Sequence, residues 1–224
     1  MPNHMKPIDG IIEVFCDEFY DALSWYNCIL DLWGYIGESA VSLAQTNKKV
    51  IVYEPHPENY RYLLENIKPY NNIIAHNYAA VGNDDKTMIF YGWPFNMWAG
   101  NQVTKATTPS TQVSCKNIVH ILAEYDFDAM KMDIEWAEYE CMDAIMESWT
   151  ALFQKIKTGF IEFHFLKDIQ RAEHAKRIMQ RVVQQWYKVR YFDVLQGTRI
   201  DTVGSDNEIV LFLFSQYDEI HTLK

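Results

Sequence analysis

The stretch that most constrains this chain is residues 28–55. An apolar run, Cys28-Ile29-Leu30, ends in Asp31, and a glycine-bearing turn follows, Leu32-Trp33-Gly34-Tyr35-Ile36-Gly37. A helix-like segment over residues 38–45 leads to a β-branched run, Val50-Ile51-Val52-Tyr53, which stops at Glu54-Pro55. The order is strand, turn, helix, strand, with an acid closing each strand. Glycines let backbone approach a ligand where the helix begins, and an acid at the end of the second strand sits at the distance of a ribose-gripping carboxylate. The unit reads as half of a site for a nucleoside-containing cofactor. Its competitor is an ordinary βαβ turn whose acids cap a helix.

Charge separates the candidate cofactors. A dinucleotide sets its pyrophosphate against a helix N-terminus, where free N–H groups and the helix dipole favour an anion. Here Asp31 begins the turn and Glu38 opens the helix, so two carboxylates face any ligand. They would repel a pyrophosphate and suit a cation. S-adenosylmethionine has no phosphate and carries a sulfonium and an ammonium group. Leu32 also stands where G-x-G-x-x-G has its first glycine.

Periodicity organises the rest. Ile12, Phe15, Phe19, Ala22 and Leu23 form one stripe and predict an amphipathic helix over residues 9–26, ahead of the core. Pro55 and Pro57 fix the entry of a helix that Pro69 ends, and strands are expected at 73–77 and 87–91 around the Gly82-Asn83-Asp84-Asp85 turn. Regular periodicity disappears over residues 92–116, where Trp93, Phe95, Met97 and Trp98 precede a Thr/Ser/Pro tract. Such long stretches are lids or binding loops, or disorder. A helix at 118–125, a strand at 129–134, a helix at 136–146, a strand at 158–165 and a long helix at 168–186 follow. Two closing strands, 189–195 and 208–214, are expected to pair antiparallel. Alternating strands and helices mean an α/β fold, a doubly wound and mostly parallel sheet with helices on both faces. Ligands of such sheets sit outside the carboxyl ends of the strands.

Composition excludes several classes. With 30 Asp and Glu against 20 Lys and Arg, the formal charge of −10 argues against a nucleic-acid partner, whose phosphates demand a basic footprint. Arg171, Lys176, Arg177 and Arg181 fall at helical spacing and read as a solvated helix face. Cys16, Cys28, Cys115 and Cys141 show neither C-x-x-C pairing nor zinc-ligand rhythm. No apolar run has signal-peptide or membrane-spanning character, so a cytoplasmic protein that does not engage a membrane is expected.

The strand ends nominate the site. Asp31 and Glu54 end the first two strands, Asp133 and Glu135 the fourth, and Glu162 and His164 lie near the end of the fifth. Glu54 is placed to accept hydrogen bonds from a ribose diol, the competing role being helix capping. Lys131, Asp133 and Glu135 alternate and so share a face; Lys131 either serves the ligand or pairs with a neighbouring carboxylate to hold the strand end. Glu162 and His164 share a face too, and either could take a proton from an acceptor hydroxyl, His164 having the better-placed ordinary pKa unless it is a satisfied structural group. The Asp133, Glu135, Glu162 and His164 set has hard-ligand character, although its spacing demands no metal.

Three blocks occur in order: Asp31 with Gly34-Tyr35-Ile36-Gly37-Glu38-Ser39, then Tyr53-Glu54-Pro55-His56-Pro57-Glu58-Asn59-Tyr60, then Lys131-Met132-Asp133-Ile134-Glu135-Trp136-Ala137-Glu138. Together they resemble the FkbM family of S-adenosylmethionine-dependent methyltransferases over roughly residues 27 to 165. The resemblance implies a class I methyltransferase (Rossmann-like) domain at 27–224 after an N-terminal helical extension at 1–26. It implies methyl transfer from S-adenosylmethionine to a hydroxyl oxygen of a glycan or other small-molecule acceptor. The cofactor-binding residues are then Asp31, Gly34, Gly37, Glu54, Pro55 and Asp133, and the catalytic ones His164, Glu162 and Asp133. The segment 81–84 is expected near adenine, with Asn77 as a strand-end alternative, and the aromatic residues of 93–98 would roof the acceptor.

Trp33 and Trp136 stand where the family usually has glycine. Either indole could stack on the cofactor or fill its place, and the two are expected to approach one another at the cleft. The alternative function is therefore a methyltransferase-fold protein with impaired cofactor binding, acting as a binding or scaffold module.

Overall fold

A computed structural model describes residues 20–91, 110–134, 137–148, 153–164, 166–185, 187–193, 198–201 and 210–216. In chain order the elements are β1 (Ile29–Leu32), α1 (Glu38–Ala44), β2 (Val50–Tyr53), α2 (Pro57–Asn66), β3 (Ile73–His76), β4 (Ala79–Val81), β5 (Thr87–Tyr91) and β6 (Ser110–Asn117). There follow α3 (Ile118–Glu124), β7 (Ala129–Met132), α4 (Glu138–Ser148), β8 (Thr158–Phe163), α5 (Ile169–Gln184), β9 (Lys188–Asp193), β10 (Thr198–Ile200) and β11 (Val210–Ser215).

The main sheet runs β10-β9-β11-β8-β7-β1-β2-β3. Strands β3, β2, β1, β7 and β8 are mutually parallel, and β11 inserts antiparallel between β8 and β9. This is the Rossmann-like methyltransferase fold, with the expected antiparallel closing pair. β1, β2 and β7 are buried at every position, as parallel strands covered on both faces must be. Alternate residues serve opposite cores. Leu30, Leu32, Ile51, Tyr53, Met130 and Met132 pack with residues of α3, α4 and α5, while Ile29, Val50, Val52 and Ala129 pack with residues of α1 and α2. In α5, Ala172, Ala175, Ile178, Met179 and Val182 are buried at helical spacing, and Asp168 caps its N-terminus by accepting from the Gln170 and Arg171 N–H groups. Arg177 and Arg181 are exposed, as a solvated helix face requires.

Three expectations change. β5 lies in a second sheet, β4-β6-β5, and not beside β3. β6 occupies residues expected to be irregular, because only Val113 and Cys115 turn inward along a Ser/Thr/Gln-rich strand, too few to show a period. The predicted helix over 9–26 lies outside the described residues up to 19, and its last part is a short 3-10 turn, Asp21–Leu23, followed by Trp25 at φ 73°. Tyr20 and Leu23 join the α1–α2 core, with the Tyr20 ring 5.4 Å from that of Phe160. Among the described residues no helix is long and apolar enough to cross a membrane.

Candidate active site

The carboxyl ends of β1, β2, β7 and β8 carry the polar residues nominated above. At the end of β1 the chain turns over β2, and the N–H groups of Trp33 and Gly34 both donate to the Tyr53 carbonyl at 2.9 Å. Three residues of this turn have left-handed backbone: Trp33 at φ 83°, Tyr35 at φ 47° and Gly37 at φ 104°. That conformation costs a residue with a Cβ roughly 1–2 kcal/mol, which explains glycine as the usual occupant where this chain has Trp33. Gly34 has a different reason to lack a side chain, since a Cβ there would lie 2.2 Å from Val52 Cγ2 and 2.8 Å from Leu63 Cδ1. It lets the turn press against β2 and α2.

Glu54 braces this turn. It is fully buried, its Oε2 accepts from the Tyr35 N–H at 2.9 Å, and its Oε1 accepts from the His56 N–H at 2.8 Å and from Asn59 Nδ2 at 3.4 Å. Both oxygens are thus engaged by the protein. Asn77, flagged as a strand-end residue, donates Nδ2 to the carbonyls of Glu54 (2.7 Å) and Pro55 (3.0 Å) and ties β2 to β3. His56, and not Glu54, caps α2, accepting at Nδ1 from the Glu58 N–H with Pro57 following. Gly82 sits where a Cβ would come within 2.2 Å of the Glu140 carbonyl, so its neighbour there is α4.

Glu38 opens α1 beside the turn, and its Oε2 is buried with no hydrogen-bond partner among the described residues. Burial pushes Glu38 up to about 7, and it pushes Glu54 up to about 8 against the pull of its three N–H donors. A carboxyl whose pKa is raised on folding binds its proton more tightly in the native state. Stability must then fall as pH rises from about 4.5 to about 8, by up to about 1.4 kcal/mol per pH unit for each group. Urea denaturation at pH 5 and pH 8 should show the drop, and Glu54→Gln should flatten it; identical stability at both pH values would mean that both groups ionise normally.

Across β1 and β7, Asp31 and Lys131 are register partners. Both are buried; Lys131 Nζ lies 3.2 Å from Asp31 Oδ1 and 3.6 Å from Asp133 Oδ2, and donates to the Trp33 carbonyl at 3.2 Å. Ser39 of α1 donates to Asp31 Oδ2 at 2.7 Å. Burial alone would discharge Lys131, but Asp31 and Asp133 outweigh it and hold its pKa well above the ordinary lysine value. Asp31 is raised by burial, with Lys131 and Ser39 opposing. The strand-pairing alternative for Lys131 is the one observed.

On the next strand lies His164, which is 1% exposed. Its Nδ1 contacts the carboxylate of fully buried Glu138, and its Nε2 lies 3.4 Å from Glu162 Oε1 and 3.8 Å from Asp133 Oδ1. Tyr139 donates its hydroxyl to the His164 carbonyl at 2.7 Å. Burial raises Glu162, and so does the nearby Asp133 carboxylate, with His164 opposing. Reading the sequence assigned no role to Glu138, although it closes the K-x-D-x-E-x-A-E block that signalled the site.

The Trp33 indole is partly buried between the main core and the small sheet, 5.5 Å from the Phe90 ring of β5. Trp136, Glu135 and the aromatic residues 93–98 lie outside the described residues, as does the expected Trp33–Trp136 approach.

The methyltransferase FkbM domain matches residues 31–189, from the end of β1 into β9. The chain belongs to the FkbM methyltransferase domain family. Members of that family are S-adenosylmethionine-dependent methyltransferases, and the acceptor is not determined by membership. Solved structures agree with this fold. A candidate O-methyltransferase from Klebsiella pneumoniae aligns with a TM-score of 0.51 at 9% identity, covering 97% of this chain and 84% of that one. An O-methyltransferase from Bacillus cereus in complex with SAH aligns at 0.50 and 12%, covering 96% and 84%. An FkbM methyltransferase from Methylobacillus flagellatus shares 18% identity over 84% of this chain and 43% of its own length, with a TM-score of 0.46. No curated protein matches the sequence.

The site fits the family's cofactor on two counts. Its turn is lined by the buried acids Asp31 and Glu54 and by the partly buried Glu38, and the buried Glu38 Oε2, which has no hydrogen-bond partner among the described residues, suits an ammonium or sulfonium ligand and no phosphate.

Proposed function

We propose that this FkbM-family chain moves a methyl group from S-adenosylmethionine to a hydroxyl oxygen of a small-molecule or glycan acceptor. The observation that carries the reading is His164, buried, held at Nδ1 by Glu138 and directed through Nε2 at Glu162 and Asp133 on the carboxyl edge of the sheet. A methyl on a sulfonium is already electrophilic, so the bound cofactor supplies the reactivity. What the protein must add is position and a proton acceptor. Bound at this edge, S-adenosylmethionine would give up its methyl and keep the carbon–sulfur electron pair as a neutral thioether, and the His164–Glu162 pair would take the acceptor's hydroxyl proton. Asp31, Gly34, Gly37, Glu54, Pro55 and Asp133 line the cofactor side. Three described cysteines, Cys28, Cys115 and Cys141, are free and buried, which supports a reducing, cytoplasmic setting.

A second reading rests on Trp33, which keeps the left-handed backbone that the family gives to glycine while adding an indole at the edge of the turn. If that indole takes the cofactor's place, the chain is a binding or scaffold module. One calorimetric titration separates the two. Wild type should bind S-adenosylmethionine, and Glu54→Ala should bind it at least tenfold more weakly, because the turn loses the carboxyl that accepts from the Tyr35 and His56 N–H groups, each hydrogen bond being worth about 1 kcal/mol. Unchanged affinity in a folded Glu54→Ala would remove Glu54 from the site. No binding by wild type would favour the module.

A further inference from the structure

We propose that Asp133, Glu162 and His164 form a binding site for a divalent metal ion at the acceptor end of the cleft. The ligand atoms of these three residues all lie within 4.8 Å of one another. An ion about 2.1 Å from each ligand sets neighbouring ligands about 3 Å apart and opposite ones about 4.2 Å apart. The separations of His164 Nε2 from Glu162 Oε1 (3.4 Å) and from Asp133 Oδ1 (3.8 Å) fall within that range. The three residues come from the ends of two adjacent parallel strands, β7 and β8, so the sheet itself sets their spacing.

The second argument comes from behind the imidazole. Glu138 is fully buried on α4 and meets His164 Nδ1. With Nδ1 held by that carboxylate, Nε2 is the ring nitrogen turned toward Glu162 and Asp133. One imidazole nitrogen and two carboxylate oxygens are thus directed at one place. The carboxylate–histidine–metal relay has this form, with the rear carboxylate setting tautomer and ring orientation.

The third argument is charge. Asp31, Asp133, Glu138 and Glu162 converge on this edge, and Lys131 touches the Asp31 and Asp133 carboxylates. Lys131 sits on Oδ2 of Asp133, which leaves Oδ1 facing His164. Like charges gathered at one edge oppose one another, and a dication offsets two of them. Two carboxylate oxygens and one imidazole nitrogen suit an ion that accepts mixed hard ligands, such as Mn²⁺ or Mg²⁺. Three protein ligands leave positions for water and for an acceptor oxygen, whose proton becomes easier to remove on the metal. With His164 Nε2 on the ion, the proton acceptor is metal-bound water and not His164; this role still rests on the proposed O-methyl transfer, and the binding of the ion does not.

The test uses metal-free full-length protein titrated with MnCl2, with free Mn²⁺ read by electron paramagnetic resonance. Wild type should bind one ion per chain. Glu162→Gln and Asp133→Asn keep side-chain shape and should each weaken binding by at least tenfold, as should His164→Ala if it folds. Exposed Glu147→Gln should bind as wild type does. A folded wild type that leaves millimolar Mn²⁺ free, or equal binding by the Glu162→Gln and Asp133→Asn variants, overturns the site. The two proposals fail separately. Mn²⁺ binding without transfer to any hydroxyl acceptor sinks the O-methyl reading and leaves the metal site. Hydroxyl methylation undiminished by EDTA, with no Mn²⁺ bound, does the reverse.

Discussion

Glu138→Gln should lower the rate of methyl transfer on the order of a hundredfold to ten-thousandfold while changing S-adenosylmethionine affinity by less than about threefold. The hydrogen-bond partner described for Glu138 is His164 Nδ1. That contact holds Nδ1 and turns Nε2 toward Glu162 and Asp133. Glutamine presents either a donor or an acceptor with almost the same shape, and an amide nitrogen turned toward His164 would reverse the tautomer. The base would then hold its hydrogen where the acceptor must deliver one. Turnover under saturating cofactor and calorimetric affinity, measured on the same preparation, separate this from a packing effect. A folded Glu138→Gln that keeps wild-type turnover would show that His164 is a structural group and not the base. Loss of affinity and turnover together would place Glu138 in the cofactor frame.

Lys131→Met should destabilise the protein by about 3–5 kcal/mol at neutral pH, a fall in Tm on the order of 10 °C for a chain of this size. Methionine fills a similar volume, so what is lost is the ammonium. Asp31 is fully buried and, among the described residues, keeps the Ser39 hydroxyl once Lys131 is gone. The sign with pH follows from the carboxylates left behind. Burial already raises Asp31, and removing the opposing ammonium raises it further. The variant therefore gains stability relative to wild type as pH falls toward 4, where the orphaned acids take protons. Lysine itself adds no slope below its ordinary value, because its folded pKa lies above that value. Adding Asp31→Asn to Lys131→Met should recover most of the loss, and a double-mutant cycle by urea denaturation gives the coupling. A loss under 1 kcal/mol would mean that Asp31 is neutral in the native protein.

Much of this protein could be read from local order in the chain. The apolar runs 28–30 and 50–53, the prolines around α2, the helical stripe of α5 and the paired closing strands all describe segments whose own periodicity decides what they become. The three motif blocks carried the family for the same reason, since each is contiguous. Strand β6 escaped because its pairing comes from β4 and β5, and two inward residues in eight leave no period to detect. Where a helix is expected up to Tyr26, the described residues hold a 3-10 turn, Asp21–Leu23, with Tyr20 and Leu23 packed into the core.

The site divides along the same line. That Asp31, Glu54, Asp133, Glu162 and His164 would gather at the carboxyl edge followed from where the strands end. What each does there was decided by partners far away in sequence. Asp31 meets Lys131 a hundred residues on only because β1 and β7 pair in that register. Glu54 is drawn inward by the Tyr35 and His56 N–H groups, and His164 is turned by Glu138 from the neighbouring helix. Local sequence specifies residue types and strand ends through short-range sterics and hydrophobic period. Protonation, tautomer and hydrogen-bond partner depend on burial and on which strands lie side by side, and those exist only once the sheet has formed.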